Sequence, residues 1–233
     1  MRRSIQRQGV MSRLAPLSLL APLSLLAAYQ LLLPSPGAGQ EDELTPPPTW
    51  EVRLDNPDRG KVDDIWYVDM PPGWHVTTGP AAIFWDPAKM ASGSFRIESE
   101  IFLFDPESRR EGFGFFFGGA DLKDPNQAYV YFLIREGGEF LVKVRRGEET
   151  ESILDWTSHP AIASWATREQ EAPTAKNVLA VEITPQGVRF EVNDKEVAVL
   201  PAGRISTDGQ VGLRVNHNVN IHVTSLDITQ HVP

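Results

Sequence analysis

The feature that most constrains this fold is a period-2 alternation of apolar and polar residues, which recurs from Trp50 through most of the 233-residue sequence. Alternate side chains of a strand point to opposite faces, so each run predicts a strand with one buried face. In the first clear run, the apolar residues Phe95, Ile97 and Ile101 share one face. The charged residues Arg96, Glu98 and Glu100 share the opposite face. Similar runs follow at 113–117, 130–134, 140–144, 179–183, 188–192, 211–215 and 221–228. About a dozen short strands without a strong amphipathic helix predict an all-β, two-sheet antiparallel β-sandwich or jelly roll.

Turn residues separate these runs. Gly137-Gly138 and Asn193-Asp194 each predict a two-residue hairpin turn. Two longer connections, Gly118–Gln127 and Asp155–Lys176, interrupt the alternation, and long loops often carry function. The second connection contains Trp156 and Trp165, which we interpret as the better platforms for a sugar ring. The other candidates, Trp66, Trp74 and Trp85, lie in predicted strands.

The N-terminal residues have the order of an export signal. Arginines without acidic residues precede a mostly apolar run over Leu14–Leu33, and small residues follow at Gly37-Ala38-Gly39. This order predicts a secretory signal peptide over 1–39 and an exported protein, which is periplasmic, cell-surface or extracellular. The apolar run is also near the length that crosses a bilayer, so an uncleaved anchor is the alternative, although Pro16 and Pro22 interrupt the run.

Behind the signal, acid and proline predict an extended linker over 40–49, followed by one β-sandwich domain over 50–233. The formal net charge of −9 disfavours nucleic acid as a partner, because an acidic surface repels phosphate backbones. We expect no stable membrane insertion unless the N-terminal segment stays uncleaved. The absence of cysteine excludes disulfides, thiolate metal sites and a cysteine nucleophile.

The closing part of the sequence resembles a known superfamily. Val188–Val197 contains an asparagine hairpin, Asp208–Val215 reads Asp-Gly-Gln-Val-Gly-Leu-Arg-Val, and a last strand ends at Ile228. This pattern is similar to the closing strands of the concanavalin A-like lectin/glucanase superfamily, especially laminin-G-like modules and the secreted bacterial 3-keto-disaccharide hydrolase family. Upstream, Gly73–Val76 and Gly93–Glu98 resemble the opening strands of those domains. The resemblance implies a concanavalin A-like jelly roll and a role connected with carbohydrate.

Glu98 and Glu100 are the weak catalytic candidates. Residues i and i+2 of a strand share a face about 7 Å apart, which is within the range of carboxylate pairs that cleave glycosides. Family 16 glycoside hydrolases, which share the resembled fold, carry Glu-x-Asp-x-x-Glu on one strand, whereas the run from Glu98 to Leu103 does not match it. The competing interpretation is a solvated charged face that includes Arg96.

A ligand-binding face is the sharpest functional prediction. If the apolar sides of all strands face the core, then the opposite sides form one polar surface beside glycines at 112, 114 and 118, which would let a ligand approach the backbone. Aromatic rings and hydrogen-bonding groups of that kind suit sugars. The predicted ligand-binding residues are Arg96, Tyr129, Tyr131, Arg135, Arg214, Asn216 and His222. The alternative is that these strands belong to different sheets, so that the residues never meet.

Metal binding has little support in the sequence, and we expect no metal and no cofactor. His217 and His222 could form a metal corner, but no third strong ligand is near in sequence, and Asn216–Asn218 is more typical of a turn. Asp121, Asp124 and Asn126 could hold a structural calcium, although their spacing is not that of a calcium-binding loop.

The sequence supports three hypotheses about function. The preferred interpretation is an exported carbohydrate- or glycoconjugate-binding module that is not catalytic. The alternatives are a glycoside hydrolase of the 3-keto-disaccharide hydrolase type and a structural or adhesion module with a protein partner.

Overall fold

The computed structural model describes residues 46–169 and 172–231. The predicted signal peptide over 1–39 and residues 40–45 of the predicted linker lie outside the described residues. The described part contains fourteen strands. They are β1 (Glu51–Leu54), β2 (Trp66–Asp69), β3 (Trp74–Thr77), β4 (Ala82–Ala91), β5 (Phe95–Leu103), β6 (Gly112–Ala120), β7 (Ala128–Arg135), β8 (Glu139–Arg146), β9 (Glu149–Ser158), β10 (Ala175–Thr184), β11 (Gly187–Val192), β12 (Lys195–Pro201), β13 (Gly209–Val215) and β14 (Asn220–Gln230).

The strands form two seven-stranded antiparallel sheets. Sheet A has the order β1-β4-β13-β6-β7-β8-β9, and sheet B has the order β12-β11-β10-β5-β14-β3-β2. The prediction of an all-β, two-sheet antiparallel sandwich is confirmed. Strands β13 and β14 follow one another in the chain but lie near the middle of different sheets, so the chain passes from sheet A to sheet B between them.

The main core lies between the sheets and follows the predicted alternation. Sheet A supplies the inner residues Phe113, Phe115, Phe117, Val130, Phe132 and Ile134, and sheet B supplies Phe95, Ile97, Ile101, Leu179, Val181 and Phe190. Each of these side chains is at most 1% exposed. Burying one such side chain contributes about 1.5–3 kcal/mol, so this layer stabilises the pairing of the two sheets.

The chain turns back at both predicted hairpins, but the turn between β7 and β8 has three residues rather than two, because Arg135 pairs with Glu139 and the connection includes Glu136 as well as Gly137 and Gly138. The two-residue turn at Asn193-Asp194 is confirmed, and it connects β11 to β12 with φ values of 50° and 60°. Two successive left-handed residues give the turn whose twist matches the flanking strands, and asparagine and aspartate tolerate this backbone better than most residues.

Helical structure in residues 46–169 and 172–231 is limited to three turns of 3-10 helix, Pro57–Arg59, Val62–Asp64 and Trp165–Thr167. Within the same residues no helix has the length and apolar content to span a bilayer.

The predicted long connection from Asp155 is shorter than expected, because β9 continues to Ser158. Trp156 therefore lies on a strand, whereas Trp165 lies in the connection as predicted. The buried side chain of Asn177 holds the connection in place: its Oδ1 accepts from the Ala163 N–H at 2.8 Å, and its Nδ2 donates to the Ala163 carbonyl at 3.0 Å.

Candidate functional site

The structure divides the predicted ligand-binding residues between the two sheets. Tyr129, Tyr131 and Arg135 lie on β7 and Arg214 on β13, all in sheet A, whereas Arg96 on β5 and His222 on β14 lie in sheet B. Asn216 lies in the turn between β13 and β14. The expected single surface is therefore wrong in part: the glycine-bearing strand β6 lies beside β13, but Arg96 and His222 belong to the other sheet.

The outer face of sheet A, which points away from the main core, carries a second apolar cluster. Its members are Ile83, Trp85, Phe116, Leu122, Tyr129, Tyr131, Leu133 and Leu141, with Trp156 packed against them. The rings of Tyr129 and Tyr131 have centroids 5.8 Å apart, and Tyr129 lies 5.1 Å from Phe116. This face is thus more aromatic and aliphatic than the polar surface that the sequence predicted.

A charged network lies among these rings. Asp55 directly follows β1, and its carboxylate accepts a short hydrogen bond from Arg214 and lies 3.4 Å from a guanidinium nitrogen of Arg145. Arg214 also donates to the Ala82 carbonyl at 3.2 Å, while its buried Nε has no partner. One carboxylate thus balances two guanidinium groups, and the sequence analysis identified neither Asp55 nor Arg145.

The network changes the acidity of the tyrosines. Burial raises the pKa of Tyr131 to about 12, and the positive charge of Arg214, whose guanidinium carbon lies 5.5 Å from the ring centroid, lowers it in part. Burial likewise raises the pKa of Tyr129, against the opposing charges of Arg214 and Arg145. Both phenols therefore stay protonated at neutral pH and can donate a hydrogen bond.

The glycines of this face do not leave an open floor. A Cβ added at Gly112 would lie 2.9 Å from the Trp156 ring, and a Cβ added at Gly212 would lie 2.6 Å from the Phe116 ring. At Gly114 the added carbon would meet the Phe132 carbonyl oxygen at 2.2 Å. The expectation that a ligand approaches the backbone over these glycines is wrong at Gly112, because an aromatic ring of the chain itself fills the space.

Arg135 and Trp156 form a stacked pair at the β7–β9 side of the face. The guanidinium carbon of Arg135 lies 4.2 Å from the Trp156 ring centroid, and Glu139 accepts from Arg135 at 2.6 and 2.7 Å. The hydrogen bond from Arg135, together with one from Arg110, lowers the pKa of Glu139 to about 2, against a smaller effect of burial. Glu139 is therefore ionised at neutral pH and serves to fix Arg135.

An open depression adjoins the face at its β1–β4 edge. A hollow of about 410 Å³ is lined by Glu51, Arg53, Trp85 and Lys123, together with Val52. It shares Glu51, Trp85 and Lys123 with a second hollow of about 250 Å³, whose other lining residues include Asp121, Asp124 and Gln210. We call these two hollows together the β1–β4 depression. Its volume suits one or two sugar rings, since small-molecule sites commonly measure about 300–1,000 Å³.

Hydrogen-bonding groups of the β1–β4 depression are only partly used. Lys123 Nζ lies 2.7 Å from Glu51 Oε1, whereas Glu51 Oε2 is buried and has no hydrogen-bond partner in the part of the chain that the structure describes. Arg53 donates at 2.8 Å to the carbonyl oxygens of Leu122 and Asp124. The loop of the predicted calcium residues Asp121, Asp124 and Asn126 thus already holds a cationic side chain. Sequence reasoning missed Glu51, because only the pairing of β1 with β4 brings it opposite Trp85.

Glu98 and Glu100 lie on β5 in sheet B, in the other sheet from the β1–β4 depression. Arg96 contacts Glu98 at 3.0 Å and Glu191 at 2.7 Å, and Lys176 contacts Glu100 at 2.5 Å. Both carboxylates are therefore engaged in ion pairs, as the interpretation of a solvated charged face requires.

His217 lies in the turn over 216–219, which the asparagines predicted, whereas His222 lies on β14. Among residues 46–169 and 172–231, no three His, Asp or Glu side chains gather closely enough to hold a metal ion.

Comparison with family models gives no match for this sequence. Comparison with curated proteins also gives no match.

Solved structures do match. The chain is similar to the carbohydrate-binding module CBM66 from Bacillus subtilis, with 15% identity, a TM-score of 0.55, and coverage of 78% of this chain and 96% of the module. It is similar to an endo-β-1,3-glucanase from Pyrococcus furiosus, with 10% identity, a TM-score of 0.54 and coverage of 79% and 89%. A glycoside hydrolase family 16 endo-glucanase from Bacteroides ovatus matches with 8% identity, a TM-score of 0.52 and coverage of 77% and 94%.

These neighbours share an architecture and little sequence, so the likeness concerns the fold. Two seven-stranded antiparallel sheets around one core, the crossing from β13 to β14 and the matched structures agree with one another. The chain has the concanavalin A-like jelly-roll fold.

Proposed function

We propose that this protein is an exported carbohydrate-binding module that does not cleave its ligand, and that the β1–β4 depression receives the sugar. The observation that carries the proposal is the composition of this depression, where the charged side chains of Glu51, Arg53 and Lys123 lie beside the buried ring of Trp85. A sugar presents a rim of hydroxyl groups, and these charged side chains offer hydrogen-bond partners to it.

The unpaired oxygen of Glu51 supports this assignment. A buried carboxylate oxygen without a hydrogen bond is costly, and a ligand hydroxyl that donates to it removes that cost. Lys123 holds the other oxygen and fixes the orientation of the side chain.

The state of the carboxylates supports binding without cleavage. Glycoside hydrolysis usually needs one protonated and one free carboxyl group on either side of the scissile bond. On the outer face of sheet A, Asp55 pairs with two arginines and Glu139 pairs with Arg135. The candidate pair Glu98 and Glu100 lies in the other sheet and is ion-paired.

Binding of the purified protein to a panel of soluble polysaccharides and oligosaccharides tests the site. We expect Glu51→Ala to weaken binding at least tenfold, because a hydrogen bond to a charged group is worth about 1.5–3 kcal/mol. Glu98→Ala is the matched control, since it removes a carboxylate from sheet B, and its affinity should remain within about twofold of the unmodified protein.

Two results would contradict the proposal. One is a folded protein that retains no glycan of the panel, and the other is equal binding by Glu51→Ala and the unmodified protein. Release of reducing ends from a bound glycan would instead favour the hydrolase alternative.

Export is tested separately by N-terminal sequencing of the protein recovered from its producing cells. We expect the chain to begin close to residue 40, as the small residues Gly37-Ala38-Gly39 predict. An intact N-terminus in the membrane fraction would support an anchor instead.

A further inference from the structure

Two histidines lie directly opposite each other on the outer face of sheet B. His75 on β3 is the register partner of His222 on β14. Their ring centroids are 6.5 Å apart, and the ring planes are tilted by 34°. Opposed residues of antiparallel strands have Cβ atoms about 5 Å apart, so the two side chains leave the sheet together and can share a ligand.

Within residues 46–169 and 172–231, three buried polar atoms at this place make no hydrogen bond of good geometry. They are Nδ1 of His75, Nδ1 of His222 and Oδ1 of Asn220, and the Asn220 side chain lies beside the His75 ring. His222 as a whole is 7% exposed. Buried polar atoms are paired in the great majority of cases, so three unpaired atoms on neighbouring strands indicate that an additional species binds there.

Aromatic rings border both histidines. The ring centroid of Phe104 lies 4.7 Å from that of His75 in an edge-on arrangement, and the ring centroid of Phe102 lies 6.0 Å from that of His222.

We propose that His75 and His222 bind one divalent transition-metal cation of the class that prefers imidazole, such as Zn²⁺ or Cu²⁺, with the amide oxygen of Asn220 as a further ligand. Since a Zn–N bond is about 2.1 Å long, two imidazoles at the tetrahedral angle of one ion have centroids roughly 5 Å apart. The observed distance of 6.5 Å is longer, so binding requires the two rings to rotate towards each other.

Access and charge are compatible with this site. Val68 on the edge strand β2 is the register partner of His75 and is 38% exposed, so the site lies close to solvent. Lys176 and Glu100 on the same face pair with each other at 2.5 Å, and their ion pair does not engage the histidines. The proposal is independent of the carbohydrate proposal, because it concerns the other sheet.

Titration calorimetry of the full chain with Zn²⁺ alone, after treatment with a chelator, tests the site. We expect one Zn²⁺ per chain, and at least a tenfold loss of affinity in His75→Gln and in His222→Gln, which keep a polar side chain of similar size. His217→Gln in the β13–β14 turn is the matched control and should bind like the unmodified protein. His231→Gln is a second control, because His231 contacts Glu182 at 2.6 Å and could bind Zn²⁺ by itself.

Nuclear magnetic resonance of the unmodified protein gives a readout that does not depend on a variant's folding. Addition of Zn²⁺ should shift or broaden the ring signals of His75 and His222 first. Three results would overturn the proposal: no saturable binding, binding that survives both His75→Gln and His222→Gln, or binding that only His231→Gln removes.

Discussion

Replacing Asp55 with asparagine removes the negative charge of the Asp55–Arg214–Arg145 network and keeps a side chain of nearly the same size. Among residues 46–169 and 172–231, Asp55 is the one anion that both arginines contact, at 3.4 Å for Arg145 and by a short hydrogen bond for Arg214. The Arg214 side chain is 7% exposed, the Arg145 side chain 10% and the Asp55 side chain 23%. Asp55→Asn keeps the volume and one acceptor oxygen but leaves two guanidinium groups without a counter-charge.

Removal of one partner of a buried ion pair costs about 3–5 kcal/mol, because the other charge stays buried. We expect the low end, about 3 kcal/mol, since Asp55 is partly exposed. For a domain of this size the melting temperature should fall by roughly 6–12 °C. Arg214→Met should cost less, about 1 kcal/mol, because it removes the most buried charge and leaves Asp55 paired with Arg145.

Urea unfolding at neutral pH of the protein, both single variants and the double variant measures these differences. The double variant should be more stable than the sum of the single losses predicts, with a coupling of about 1–2 kcal/mol. Equal costs for Asp55→Asn and Arg214→Met, or a cost below about 1 kcal/mol for Asp55→Asn, would refute the argument that the carboxylate compensates buried positive charge.

Three further changes test other parts of the molecule. Gly212→Ala should destabilise by at least about 2 kcal/mol in urea unfolding, because the new Cβ would lie 2.2 Å from the Phe84 carbonyl oxygen; an unchanged midpoint would contradict this contact. Tyr67→Phe should stabilise by about 1 kcal/mol in the same assay, since it removes a buried hydroxyl without a partner and keeps the ring; a loss of stability would mean that the hydroxyl is bonded. Glu139 has a pKa lowered from 4.5 to about 2, so its stabilising effect is complete above its ordinary pKa and is lost as the pH falls through about 2. The stability difference between the protein and Glu139→Gln should therefore shrink over that acid range, and a constant difference would exclude the linkage.

The face of each strand could be predicted from local sequence. The alternation that set Phe95 and Ile97 apart from Arg96 and Glu98 is the one the structure has, with the phenylalanine and isoleucine buried and the charged residues at least partly exposed. The alternation of side chains between two faces is a property of each single strand, so the sequence of that strand alone is enough to predict which residues are buried. The hairpin at Asn193-Asp194 was equally local, because its left-handed backbone restricts the residue types.

The membership of each strand in a sheet could not be predicted in the same way. Arg214 and His222 are eight positions apart, yet they lie in different sheets because the chain crosses over in the turn between them. Long-range pairing decides this, for example the pairing of Arg214 with Ile83. The same long-range contacts fill the space over Gly112 with the Trp156 ring, which no local pattern indicates.

The positions of β13 and β14 also bear on how the molecule is assembled. Strand β13 lies between β4 and β6, and strand β14 lies between β5 and β3, so each joins two halves of a sheet that precede it in the sequence. Sheet A cannot close until synthesis has passed Val215, and sheet B cannot close until it has reached the residues of β14, Asn220–Gln230. A nascent chain that ends before β13 keeps unpaired edges on four strands. Folding that depends on such distant partners is slow, and the unfinished chain stays extended for longer. An extended chain is also the form that a narrow translocation channel admits, which fits a protein whose first residues read as an export signal.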